Sequence, residues 1–368
     1  MLFRSVHYPV PFAGMVATGS GWSCTDSTES DPVCTHSGGV AAGSSLPPVT
    51  IAGPVPAQDA PAAVRAQVSV DNASDAYTSD NSTFLDSAIS GFSPAGGYVA
   101  LGDSYSSGEG VPDASGQFIP PSNSPSPNDR CHRSYYAYSQ DVIGTTGFPS
   151  AAQTSFWACS GAIIADYTHP NADNNEPSQQ SHLLNPNGTP DGRIRLVSLT
   201  MGGNDIQFPK VIAYCLTVPS CEIPEDPIVT KLINHTEPRL VTLYGQILHD
   251  APKAQVFVLG YPRIIASVPS PPCMAAGIDA GEAVWFGAKA AQLDNAIKRA
   301  VSQVDAKRLH YVDTLKAFSG GEACSRIGST SGTYMNGLMF RHPVYSFHPT
   351  KAGQQIFASL LAQAVAGK

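Results

Sequence analysis

The stretch Tyr98-Val99-Ala100-Leu101-Gly102-Asp103-Ser104 constrains the fold of this chain more than any other. A short apolar run of β-formers that passes straight into Gly-Asp-Ser reads as a buried strand ending in a tight turn, with a hydroxyl at its tip. Open α/β sheets hold their ligands at the carboxyl ends of such strands. Ser104 is thus a candidate nucleophile, with Ser106 and Ser107 as nearby competitors. Alone, the triplet is ordinary turn material. Three later blocks give it company: Ala158-Cys159-Ser160-Gly161-Ala162, Met201-Gly202-Gly203-Asn204-Asp205, and Ser346-Phe347-His348-Pro349-Thr350-Lys351-Ala352-Gly353.

Behind Tyr98 the chain alternates between strand and helix patterns. Ser155–Ala158, Arg193–Thr200, Ala254–Gly260 and Leu309–Asp313 read as strands. Tyr135–Val142, Pro227–His249, Ala280–Val304 and Ala352–Val365 read as helices. Such alternation predicts a mainly parallel sheet with crossover helices. The Pro-, Ser-, Asn- and Gly-rich loop 108–130 follows the candidate nucleophile, and with loops 162–192 and 261–280 it is expected to wall a substrate site. Ahead of Tyr98 the composition shifts. Residues 1–12 show no pattern; 13–88 are rich in Ser, Thr, Val, Pro, Asp and Asn, with short alternating runs that predict strands of a β-sandwich. Residues 89–96 form a Gly/Pro linker, and 97–368 a second domain.

Nucleophilic catalysis by a serine at a carbonyl needs a base within hydrogen-bond reach and donors aimed at the oxygen that becomes negative. Gly161, in a Cys-Ser-Gly-Ala turn, lets its backbone N–H approach a ligand closely. Asn204 can offer a side-chain amide to the same oxygen, although either residue can equally be a plain turn residue. Histidine suits the base, since its ordinary pKa near 6.5 lets it accept and return a proton at neutral pH. Of ten histidines, His342 and His348 stand close together in His-Pro pairs, and of these two only His348 leads into a turn-then-helix pattern.

In order and spacing the four blocks resemble the SGNH hydrolase family, the GDSL esterases and lipases, over residues 97–368. The resemblance implies a three-layer α/β/α, flavodoxin-like domain and places the nucleophile directly after Gly-Asp, at Ser104. It implies His348 as base, an oxyanion hole of the Ser104 N–H, the Gly161 N–H and the Asn204 side chain, and no metal or organic cofactor. Many members carry an Asp three residues before the histidine, where this chain has Tyr345. No carboxylate lies in 344–347. Some secreted relatives use a main-chain carbonyl instead, so the expectation is a Ser104–His348 dyad held by the Tyr345 carbonyl on Nδ1, with Asp313 as the rival third member. Asp103 and Asp205 are expected to brace their turns. Secreted actinobacterial members pair six cysteines in order, which implies Cys131–Cys159, Cys215–Cys221 and Cys273–Cys324, leaving Cys24–Cys34. The stretch 13–88 resembles the C-terminal two-thirds of an immunoglobulin-like repeat of bacterial surface proteins; a disordered Ser/Pro-rich linker is the alternative.

Composition narrows partners and compartment. A net charge of -8 with only 14% charged residues and no Lys/Arg cluster argues against nucleic acid. Eight cysteines without a CxxC pair predict disulfides in an oxidising compartment, buried free thiols being the alternative. No run approaches 18 apolar residues, so no transmembrane segment is expected. Met1 to Gly21 lacks a signal-peptide pattern, so the recorded start is expected not to be the natural one. The expectation is a monomeric bacterial serine esterase or lipase, secreted or at the cell surface, acting on acyl or lipid esters. The alternatives are a carbohydrate acetyl esterase on the same scaffold and a catalytically silent surface-binding module.

Overall fold

The computed structural model describes residues 97–368 apart from 115, 120–129, 144, 146, 150–153, 186, 306 and 368. Before Gly97 it describes 2–4, 16–25, 33–36, 47, 49–52, 63–71 and 82–88. The chain divides into two units, Met1–Ala95 and Gly96–Lys368.

In the first unit β1 (Leu2–Arg4), β3 (Trp22–Thr25), β4 (Val33–His36), β6 (Ala63–Asp71) and β7 (Ser82–Ala88) form one sheet in the order β3-β4-β1-β6-β7. β2 (Val16–Gly19) pairs with β5 (Val49–Ala52) in a second. All these pairings are antiparallel. The likeness to an immunoglobulin-like repeat stays an expectation. Cys24 and Cys34 face each other in the register of β3 and β4, and Cys24 is disulfide-bonded. The Cys34 side chain and the linker 89–96 lie outside the described residues.

The second unit is built on β8 (Gly97–Ala100), β9 (Thr154–Phe156), β10 (Ile194–Leu199), β11 (Gln255–Leu259) and β12 (Leu309–Val312), all parallel, in the order β12-β11-β10-β8-β9. Every residue of β8 is buried, as are all of β10 except Arg195. Covered on both faces, these strands are continuous apolar runs rather than alternating ones. The helices are α1 (Ser104–Ser107), α2 (Tyr138–Asp141), α3 (Phe208–Cys215), α4 (Glu222–Asp250), α5 (Pro271–Ala275), α6 (Ala280–Ser302) and α7 (Lys351–Ala366). α4 packs along α6, α2 against α7, and α6 and α7 reach the sheet, giving a three-layer α/β/α domain. A capping box fixes the start of α6, where the Asp279 side chain accepts from the Glu282 N–H and Glu282 returns the bond.

Several elements differ from expectation: α2, expected over Tyr135–Val142, is only Tyr138–Asp141, and β9, expected over Ser155–Ala158, is Thr154–Phe156. α4 starts at Glu222 rather than Pro227, because Cys221, bonded to Cys215, fixes the preceding turn and Pro224 occupies a position whose N–H has no intrahelical partner in any case. α3, which the sequence pattern did not suggest, follows Gln207 in a left-handed conformation and has Pro209 in its first turn. The chain passes from β8 outward to β9 and then back across to β10, so the strand order reverses at β8. That reversal opens a crevice at the carboxyl ends of β8 and β10.

Candidate active site

Ser104 begins α1 directly after β8. The turn between them is sterically exacting. Gly102 has φ +117°, and a Cβ there would lie 2.5 Å from the Thr200 carbonyl oxygen. The Gln179 side chain clamps Gly102 from both sides, accepting from its N–H at 2.9 Å and donating to its carbonyl at 2.8 Å. Asp103 accepts from the Tyr105 N–H at 3.0 Å, from Thr200 Oγ1 at 2.6 Å and from the Tyr261 hydroxyl. Burial pushes its carboxyl up to about 6, against these hydrogen bonds. Of the three serines, Ser106 is wholly buried and engaged with Tyr138 and Thr200, and Ser107 donates to the Ser104 carbonyl. Ser104 Oγ lies 2.8 Å from His348 Nε2.

The other imidazole nitrogen, Nδ1, lies 3.1 Å from the Ser346 carbonyl. This corrects the expectation of Tyr345. The Tyr345 carbonyl accepts instead from the backbone N–H of His348, and Phe347, at φ +58°, turns the chain so that the next carbonyl meets the ring. Asp313, the rival, is exposed at the end of β12 and accepts from the Leu315 N–H at 3.1 Å. It is not among the groups acting on His348. His342 is exposed and stacks on Tyr345. Enclosure of the His348 ring pulls its pKa below the ordinary histidine value, while the Glu109 carboxylate pulls the other way.

Gly161 and Asn204 follow β9 and β10, the strands on either side of β8. Gly161 has φ +81° and open space where a Cβ would stand. Neither the Ser104 N–H nor the Gly161 N–H has an acceptor among the described residues. Asn204 donates one amide hydrogen to the Ala162 carbonyl at 2.9 Å, which ties it to the Gly161 turn and leaves it a second. Asp205 fixes the same turn from below, accepting from the Ile164 N–H and pairing with Arg239 at 2.8 Å. Cys131–Cys159 tethers this turn to the segment before α2, and Cys273–Cys324 joins α5 to the chain after β12.

Ser104, Asn204 and His348 line a cavity of about 370 Å³ whose walls are mostly aliphatic and aromatic, among them Ile206, Phe208, Ile212, Leu216 and Leu293. The walls correct two of the three expected loops and include residues of the third, 261–280. None of the described residues of 108–130 or 162–192 lines the cavity; α3, α6 and the segment 338–348 do, joined by Tyr261 and Ile264. Gly110, at the start of the first of these loops, comes close to His348: a Cβ on it would lie 3.2 Å from the His348 Cβ.

The description "GDSL-like Lipase/Acylhydrolase family" matches residues 100–356, a span that contains the whole of this site. The chain belongs to the GDSL-like lipase/acylhydrolase family. This GDSL-like hydrolase is 30% identical over 272 residues to Lipase 2 of Streptomyces coelicolor, covering 71% of this chain and 83% of that one. Its domain superposes on phospholipase A1 from Streptomyces albidoflavus with a TM-score of 0.59 and 30% identity, over 73% of this chain and 99% of the other. An extracellular lipase from Streptomyces rimosus gives 0.58 and 28%, over 73% and 100%. The family and these relatives make the chain a carboxylic ester hydrolase. Among the described residues of the hydrolase no helix is long and apolar enough to cross a membrane.

Sequence reasoning missed Gln179, Tyr261 and Glu109. Gln179 and Tyr261 act through contacts 77 and 158 residues away along the chain, which no local pattern announces. Glu109 had a signal: an acidic residue shortly after the candidate nucleophile, between two glycines.

Proposed function

We propose that this hydrolase is an extracellular serine lipase or esterase that cleaves long-chain acyl esters through a Ser104–His348 dyad. The observation that carries the reading is the 2.8 Å contact between Ser104 Oγ and His348 Nε2 at the wall of a deep apolar cavity. His348 takes the Ser104 proton as Oγ attacks the acyl carbonyl. The negative oxygen is met by the N–H groups of Ser104 and Gly161 and by the second amide hydrogen of Asn204. His348 then protonates the leaving alcohol, and the acyl group stays on Oγ. Water enters, gives its proton to His348, and releases the fatty acid as the proton returns to Ser104. The Ser346 carbonyl orients the ring through Nδ1–H, a role a carboxylate holds in triads.

A cavity of about 370 Å³ with greasy walls accepts an alkyl chain and offers an acetylated sugar few polar partners. The lipase and phospholipase relatives and the disulfides support a lipid-type ester outside the cell. The test is hydrolysis of p-nitrophenyl esters from acetate to palmitate by the full chain, Ser104→Ala and Asp313→Asn. Ser104→Ala should lose about four orders of magnitude in kcat or more, Asp313→Asn should stay near wild type, and kcat/KM should rise beyond acetate. A preference for acetate would move the reading to an acetyl esterase. Full activity in Ser104→Ala would end the dyad.

A further inference from the structure

Among the described residues no carboxylate is hydrogen-bonded to the His348 imidazole, yet a buried one is carried by Glu109, whose neighbour Gly110 comes close to His348. Glu109 is 1% exposed. Its Oε2 lies 2.6 Å from His132 Nδ1, and its Oε1 is buried with no hydrogen-bond partner among the described residues. His132 holds a left-handed backbone, φ +49°, and stacks on Phe118 with ring centroids 4.7 Å apart. Phe118 meets Tyr345 edge-on at 5.9 Å, so the pair is packed against the segment that presents His348. The residue after Glu109 also comes close to His348. A Cβ on Gly110 would lie 3.2 Å from His348 Cβ and 3.3 Å from the Tyr345 carbonyl. Asn336 locks the register, donating its side-chain amide to the Gly110 carbonyl and its backbone N–H to the His348 carbonyl.

A fully buried carboxylate paired with a partly exposed histidine is expensive in stability, and apolar residues of similar volume could fill the space at less cost. Its position against the general base gives it a use. We propose that Glu109 is a positioning residue of the dyad, supplying through space the negative charge that a triad acid supplies through a hydrogen bond, with His132 holding that carboxylate in place. The inference rests on the dyad reading above. When Ser104 attacks, His348 becomes an imidazolium, and a fixed negative charge in a water-poor setting lowers the energy of that state. The titratable groups facing Glu109 are His132, Tyr345 and His348; those around His348 are Glu109, His132 and Tyr105, whose ring lies 5.4 Å away and whose hydroxyl burial keeps neutral. Glu109 draws the imidazole toward its charged form, and His132 opposes it.

The experiment is the pH dependence of kcat/KM on p-nitrophenyl butyrate for the full chain and its variants, each with a thermal melt. The acid limb reports His348 losing its proton. Glu109→Gln removes a charge that favours imidazolium, so its midpoint should fall by about half a pH unit and its plateau by about three- to tenfold. Glu109→Asp keeps the charge and should lie between the two; it stands in if Glu109→Gln does not fold. His132→Asn suits the left-handed backbone and removes the opposing group, so its midpoint should rise or stay. An unchanged midpoint in both Glu109 variants, or Glu109→Gln and His132→Asn moving it in the same direction, would overturn the inference and leave the pair a packing device. Loss of all activity in Ser104→Ala, measured alongside, keeps the dyad reading separate from this one.

Discussion

At the scale of single residues, the site uses groups whose chemistry is common and whose placement is not. Asn204 shows the difference. Its amide is half spent on the Ala162 carbonyl, and that bond holds the remaining hydrogen in a fixed relation to the Gly161 turn. If that hydrogen meets the oxyanion only as it forms, Asn204→Ala should lower kcat by about 10²- to 10³-fold while leaving KM nearly unchanged. Steady-state kinetics on a soluble ester separate this from a ground-state binding role, which would raise KM and spare kcat. Ser104, Gly161, Asn204 and His348 could all be picked out from the sequence, because each sits in a short block with its neighbours fixed. The histidine's partner could not. Whether the Tyr345 or the Ser346 carbonyl meets Nδ1 depends on the left-handed turn at Phe347, a residue type that gives no hint of positive φ.

At the scale of elements, the turn between β8 and α1 is tightly constrained. Gly102 must both adopt φ +117° and let the Thr200 carbonyl approach, while Gln179 grips its two backbone polar groups. Gly102→Ala should therefore destabilise the fold by about 3 kcal/mol, from strained backbone plus overlap, and lower activity in whatever fraction remains folded. Urea unfolding followed by fluorescence, with activity read on the same samples, checks both. A melt like that of wild type would mean that the turn relaxes more freely than its geometry implies. Strands β8, β10, β11 and β12 and helices α6 and α7 follow their apolar patterns within a few residues. α3 escaped because eight residues carry too few turns to show a helical period, and Pro209 reads as a breaker until its place in the first turn is known.

At the scale of the whole molecule, the family match and every residue of the site lie within Gly96–Lys368. A chain of residues 97–368 should then retain kcat/KM on p-nitrophenyl esters within about threefold of the full chain; a collapse of activity with the fold intact would give the antiparallel unit before it a part in catalysis. The sequence by itself determined the α/β class, the parallel sheet and the four blocks that supply the candidate site, because strand burial, turn chemistry and helix periodicity are local properties written within a few residues. Tertiary structure alone decided which strands are neighbours, hence that the turns after β9, β8 and β10 converge on one crevice. It also decided that α3, α6 and the segment 338–348 line the cavity, and that Gly110, next to Glu109, comes to rest close to His348 although most of the domain's chain lies between them. Those relations are set by the packing of distant surfaces, whose free energy depends on the partner as much as on the residue, and no stretch of sequence states its partner.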